Sequence, residues 1–349
     1  MLKLIRRNGI HIRIENIPRF LMLIQNAIIS SVLTIVERIK FSHKVDVTLL
    51  KKPPVFIIGH WRTGTTFLHQ LINLDDQFTT PTVLQASIPD HFLFSSRYYV
   101  PIMKKFLPKK RHMDNVFISP SEPQEDEFAL LRMGVQSPME HLFFYKGNKY
   151  FLSDFNKYLP EGQEFIVWKS KLLTFYKKIT YITGKQIVSK NPYHTLRIHL
   201  LLKLFPGAKF IHVTRNALDV VPSTIAMWNT IAASDNLGKA WKSPGIKEVT
   251  AVFKHFDEFV EEFRQKAGKG CITSVRFEDL EKDPLKELQR IYRDLGLTYT
   301  GHFNIKAQHF TESLKGYVKN KFRLTEKERN TIQEVMQESI IDCLLETRP

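Results

Sequence analysis

Residues 59–66 read Gly-His-Trp-Arg-Thr-Gly-Thr-Thr. They have the outline of a phosphate-binding P-loop, G-x-x-x-x-G-K-[ST], with Thr65 where the lysine belongs. Two glycines permit a tight turn, and backbone N–H groups at the start of a helix cradle an anion. Thr65 and Thr66 add hydroxyl donors. In nucleoside-triphosphate enzymes the loop lysine bridges the β- and γ-phosphates while the Ser/Thr holds magnesium. Here a permanent cation, Arg62, stands inside the turn instead, which suits a leaving phosphate that carries no metal. A plain Gly-turn-helix with a surface arginine is the bland alternative. The apolar run before the loop, the glycine spacing and the two threonines together argue against it.

A second pair of anion ligands is Arg215 and Ser223, eight residues apart. Arginine offers a planar fork of donors suited to phosphate. The pair gains weight only from its position after an apolar run, in a chain that already has a phosphate loop. Lys190, in Ser-Lys-Asn-Pro-Tyr-His-Thr, lies 25 residues before Arg215 and also follows an apolar run. An exposed surface lysine is its plain alternative.

The elements that must position these residues are strands over 55–58, 186–189, 209–214 and 272–276. They alternate with helices over 64–74, 192–204, 217–228 and 284–295. Pro192 suits a first helical turn. Alternation of this kind makes a parallel sheet with right-handed crossovers, whose ligands sit beyond the carboxyl ends of the strands. The expected fold class is α/β: a P-loop-type parallel sheet flanked by helices, with an N-terminal helical extension. The expected division is a basic, apolar helical segment over 1–50 and a single domain over 51–349.

PVFIIGHWRTGTTFLH and KFIHVTRNALDVVPST resemble the 5′-phosphosulfate loop and the 3′-phosphate motif of the sulfotransferase superfamily that uses PAPS (3′-phosphoadenylyl sulfate). SVRFEDLEKDP, residues 274–284, resembles the family's late strand with its acidic turn, and the resemblance spans roughly 52–325. It implies transfer of a sulfonate to an acceptor hydroxyl, with adenosine 3′,5′-bisphosphate as the product and no metal. Arg62, Thr63, Gly64, Thr65 and Thr66 would hold the 5′-phosphosulfate, and Arg215 and Ser223 the 3′-phosphate. Lys190 is similar to the catalytic lysine of the tyrosylprotein branch. The small-molecule branch has a histidine two residues after its comparable lysine; Pro192 stands there in this chain, so a base must come from elsewhere. The basic run over 315–323 could close over the 3′-phosphate, with Lys319 as its ligand; a solvated charge run explains it as well.

Three residues are candidates for that base. Glu127, in an acidic helix start beside Phe128, is the first. An apolar pocket would raise its pKa into a useful range, and the EDEFAL segment is similar to one in bacterial lipid-type members of the superfamily. Plain helix N-terminal solvation explains the acids equally. His194, four residues after Lys190, is second, and His91 third. Large apolar groups over 88–107 and 138–145 suit a pocket for a sterol, steroid or lipid alcohol, although core packing accounts for them too.

The net charge of +16 over 349 residues favours anionic partners. No RRM, helix-turn-helix or zinc signature points to nucleic acid. Cys271 and Cys343 fit no metal or redox spacing, and without a disulfide framework a reducing cytoplasm is the expected compartment. Lys3, Arg6, Arg7, Arg13 and Arg19 precede an apolar stretch over 20–36. It is short and polar for a spanning helix; packing on the domain or lying in the inner membrane interface are the other readings. The rival functions are a P-loop nucleotide phosphotransferase and a non-enzymatic, basic membrane-surface binder.

Overall fold

The computed structural model describes residues 2–9, 12–111, 113–114, 116–145, 159–314, 320 and 322–338. Lys319 and Cys343 lie outside the described residues. Five strands form one sheet in the order β2-β3-β1-β4-β5: β1 Val55–Ile58, β2 Phe78–Thr79, β3 Gln186–Lys190, β4 Lys209–Thr214 and β5 Ile272–Arg276. β1 pairs in parallel with β3 and β4, and β4 with β5. All four residues of β1 are fully buried, as a central parallel strand covered on both faces requires. β2 has no counterpart among the expected strands, because two residues carry no periodicity to read.

Contacts divide the chain into two compact units. One holds residues 53–78, 188–227 and 243–349. Its sheet alternates with period two. Val55, Ile57, Ile211 and Val213 pack with Leu68 and Leu71 of the helix Thr65–Ile72 and with Leu288 and Ile291 of the helix Pro284–Asp294. On the other face Phe56 stacks on Phe210 at 5.6 Å, and Phe210 meets Phe263 of the helix Ile246–Lys266 at 6.1 Å.

The other unit holds residues 1–52, 79–187 and 228–242. Its core centres on Trp168, Leu172, Phe175 and Tyr176 of the helix Gly162–Thr183. The N-terminal helix Ile17–Asp46 is bound to it by the ion pair between Glu37 and Lys178. The helix Phe92–Phe106 adds Phe92, whose ring meets Phe175 edge-on at 6.1 Å.

Three helices differ from their expected spans by more than one terminal residue. The helix after β1 starts at Thr65, with Gly64 as its N-cap. The segment after β3 is a 3-10 helix Pro192–Arg197 followed by the helix Ile198–Leu204. The Asn191 side chain accepts from Tyr193 N at 2.9 Å and the Asn191 carbonyl from His194 N at 3.0 Å, which tightens that first turn. The helix after β4, Ala217–Asp235, continues through Pro222 well past Trp228.

Candidate active site

The loop after β1 is shaped by close approach. Gly59 has φ 134°, and a Cβ there would lie 2.5 Å from the Val213 carbonyl oxygen of β4. Gly64 has φ 98°, and a Cβ there would fall 2.1 Å from the Phe277 ring. Both positions therefore demand glycine. Between them Arg62 has φ 69°, the only non-glycine with positive φ among the described residues. Buried Thr63 donates to the His60 carbonyl at 2.8 Å and closes the turn.

The loop is also backed from the segment after β3. Thr195, fully buried, accepts from Gly59 N at 2.9 Å and donates to the Gly59 carbonyl at 3.3 Å. Tyr193 meets Trp61 edge-on at 4.8 Å. His60 is enclosed by Trp61, Phe253 and Phe256, and burial pushes its pKa down to about 4.

The loops after β1 and β4 meet. Arg62 Nε donates to Ser223 Oγ at 2.9 Å, and an Arg215 Nη1–H points to the Arg62 carbonyl at 3.4 Å. The Arg215 guanidinium lies over the Phe277 ring at 4.7 Å, and its edge reaches Asp219 at 3.5 Å. Arg215 Nε is buried with no hydrogen-bond partner among the described residues, a donor suited to an acceptor brought by a ligand. Glu278 accepts from Asn216 N at 3.0 Å and fixes the start of the helix that carries Ser223.

Lys190 ends β3, opposite Ile57 of β1, and is buried. Asn191 N continues that ladder to the Ile57 carbonyl at 3.2 Å. Lys190 thus stands at the carboxyl edge of the strand beside the phosphate loop. His194 is fully buried and packs edge-on against Phe56 at 5.5 Å, on the core face of the sheet.

Glu127 belongs to the other unit. It lies in the helix Asp126–Arg132, is buried, and accepts from Ser137 Oγ at 2.6 Å. Its neighbour Asp126 accepts from Tyr176 O–H at 2.5 Å. His91, in the same unit, engages Ser95 Oγ through Nδ1 at 2.6 Å and Ser30 Oγ through Nε2 at 2.8 Å. Burial, helped by the nearby Lys178 charge, lowers its pKa to about 4.

Sequence reasoning brought out Arg62, Lys190, Arg215 and Ser223, but missed Thr195, Phe277 and Glu278 as loop supports. Phe277 and Glu278 lie in the late acidic turn, the one signal that pointed near them. Nothing in the order of residues marks Thr195 as a partner of Gly59.

The profile described as "Sulfotransferase family" matches residues 53–301. The chain belongs to the sulfotransferase family. It is 31% identical over 308 residues to the omega-hydroxy-beta-dihydromenaquinone-9 sulfotransferase Stf3 of Mycobacterium bovis and of Mycobacterium tuberculosis, covering 88% of this chain and 79% of each relative. Among solved structures, sulfotransferase STF9 from Mycobacterium avium superposes with a TM-score of 0.67 at 14% identity, covering 94% of this chain and 86% of that one. Sulfotransferase STF1 from Mycobacterium tuberculosis gives 0.63 at 19% identity, covering 96% and 89%. These likenesses establish a sulfotransferase fold: a parallel sheet flanked by helices.

Proposed function

We propose that this sulfotransferase-family protein moves a sulfonate group from PAPS to the hydroxyl of a hydrophobic acceptor. The observation that carries the reading is the 2.9 Å bond from Arg62 to Ser223. It joins the loop after β1 to the motif after β4 in one cationic cradle, as a donor with a phosphate at each end of its nucleotide needs. The residues fit that donor: two glycines leave no room for a Cβ, and Arg215 Nε is buried without a partner among the described residues.

The donor supplies a sulfonate on a good leaving group: a new S–O bond forms to the acceptor oxygen as the S–O bond to the phosphate breaks, the electron pair leaving with the phosphate. Arg62 and the N–H groups of residues 63–66 hold the 5′ end and stabilise the charge that grows there. Arg215 and Ser223 hold the 3′-phosphate, with Lys319 as a further ligand. Lys190, at the end of β3, stabilises the sulfonate oxygens. Glu127 accepts the acceptor's proton; it is a buried carboxylate already oriented by Ser137. His194 and His91 are weaker candidates, the first packed on Phe56 and the second held by two serines and low in basicity.

A hydrophobic acceptor is supported by the relatives, which are named for a hydroxylated menaquinone. The test is incubation with labelled PAPS and a panel of prenylated quinols, sterols, phenols and peptides, with products identified by mass. Label in a lipid alcohol supports the reading. Phosphate transfer from ATP with magnesium, and none of sulfonate from PAPS, would replace it with a nucleotide phosphotransferase.

A further inference from the structure

The helix Ile17–Asp46 is apolar on two opposite faces, and among the described residues only one of them is packed against. On the packed face Ser30 Oγ meets His91 at 2.8 Å, and Glu37 pairs with Lys178 and accepts from Phe94 N at 2.9 Å. Nearer its start Asn16 Nδ2 donates to the Asn236 carbonyl at 3.2 Å, and Arg19 pairs with Asp235 at 3.1 Å. Half a turn away, Leu21, Ile28, Val32, Ile35 and Ile39 recur at steps of seven, four, three and four, one stripe of a helix. They are exposed, Ile28 by 63% and Ile39 by 80%, and no described residue covers them.

The helix Phe92–Phe106, which packs on the same helix through Phe94, repeats the pattern. Tyr98, Ile102 and Phe106 fall at i, i+4 and i+8 and face outward, Phe106 by 74%. A monomeric soluble protein rarely leaves so much apolar surface in contiguous stripes.

Charge selects the occupant. Arg97, Lys104, Lys105, Lys109 and Lys110 are exposed among and just beyond these side chains, and no acidic residue lies between Asp90 and Asp114. The Arg97 guanidinium covers the Tyr98 ring at 4.6 Å, and Lys105 Nζ lies 5.6 Å from the Phe106 ring centre. Long cations beside aromatic rings are the composition of a membrane-interface contact. A second copy of the chain would bring the same positive charge and repel; an anionic lipid surface complements it.

We propose that the exposed stripes of these two helices seat the protein on the surface of an anionic bilayer, with the helix Ile17–Asp46 lying in the interface and not crossing it. By length and composition the stretch Ile14–Asp46 could span. Spanning would strip Glu37 from the buried Lys178 and break the Ser30, Asn16 and Arg19 contacts on the packed face, leaving charges unpaired in lipid. An interfacial helix keeps those contacts and buries only its outer stripe. This deepens the proposed function in one respect, by bringing the enzyme to a lipid-dissolved acceptor.

The test is co-sedimentation of the full chain with vesicles of phosphatidylcholine alone or mixed with phosphatidylglycerol, at low and high salt. Wild-type protein is expected to bind the mixed vesicles, to be released by salt and to be extracted by alkaline carbonate. The Ile28→Glu/Ile35→Glu and Lys104→Glu/Lys105→Glu variants are expected to bind at least about tenfold more weakly. Their melting temperatures, and the rise in melting caused by adenosine 3′,5′-bisphosphate, are expected to match wild type. Wild-type protein left in the supernatant, or variants that bind like wild type, would overturn the proposal. Retention after carbonate would overturn the interfacial geometry. A dimer broken by Ile28→Glu/Ile35→Glu, without vesicle binding, would assign the stripe to a subunit interface and overturn it as well. Absence of any nucleotide effect on melting would count against the proposed function alone.

Discussion

Arg62 adopts a left-handed backbone conformation that costs an L-residue about 1–2 kcal/mol, and it does so beside two glycines that no larger residue can replace. Strain of this kind persists where the surroundings over-determine it, commonly at ligand clamps; here the Ser223 and Arg215 contacts do so. The two cationic ends of the cradle and Lys190 are predicted to separate kinetically. Arg215→Ala is expected to weaken adenosine 3′,5′-bisphosphate binding by roughly tenfold to a hundredfold, the loss of about 1.5–3 kcal/mol of charge-assisted hydrogen bonding, measured by calorimetry. Lys190→Ala is expected to leave that affinity within a few-fold and to lower kcat by about a hundredfold or more; full turnover would remove Lys190 from the mechanism. Glu127→Gln is expected to fold, bind nucleotide and turn over slowly, by about a hundredfold or more. A rate within a few-fold of wild type would pass the proton-acceptor role to another group. The residues of the cradle were legible because phosphate ligands follow strands and have distinctive types. Thr195, Phe277 and Glu278 were not, because each acts through a contact more than sixty residues away along the chain.

At the scale of elements, the central strands were readable as short apolar runs, since a strand buried on both faces must be apolar throughout. The attachment of the helix Ile17–Asp46 was not, because its anchor is a pair of opposite charges far apart in sequence. Glu37 and Lys178 are both buried, and burial pushes the carboxyl pKa up and the ammonium pKa down while their mutual attraction opposes both shifts. Direct contact and the carbonyl of Pro89, 2.5 Å from Lys178 Nζ, favour the charged pair. Removing one partner leaves the other charge buried, so Glu37→Leu and Lys178→Met are each predicted to cost about 3–5 kcal/mol. The double variant Glu37→Leu/Lys178→Met is predicted to cost much less than the sum of the single changes. Denaturant unfolding of the four proteins in a double-mutant cycle measures this; additive losses would show that the pair does not anchor the helix.

At the scale of the whole molecule, a +16 chain faces increasing self-repulsion as acid adds protons, and its buried histidines set where folding begins to resist that. His60 shows the sign most clearly. Its ring is enclosed by three aromatic side chains, and burial holds its pKa at about 4 against 6.5 when exposed. The unfolded chain therefore binds a proton at His60 below pH 6.5 while the folded chain does not. The stability this neutral ring allows is complete above pH 6.5, declines as pH falls toward 4, and changes no further below that. The loss reaches about 3 kcal/mol for this residue over the interval. His91 and His255, also lowered to about 4 by burial, act in the same direction. Unfolding free energy is thus expected to fall steadily between pH 6.5 and 4.5, well before most carboxylates titrate. His60→Gln, whatever its stability at pH 7.5, is expected to show a slope smaller by close to one proton across that window. Guanidinium unfolding at four or five pH values reads both slopes, and parallel curves for the two proteins would mean that the ring is protonated inside its aromatic enclosure, contrary to the packing that surrounds it.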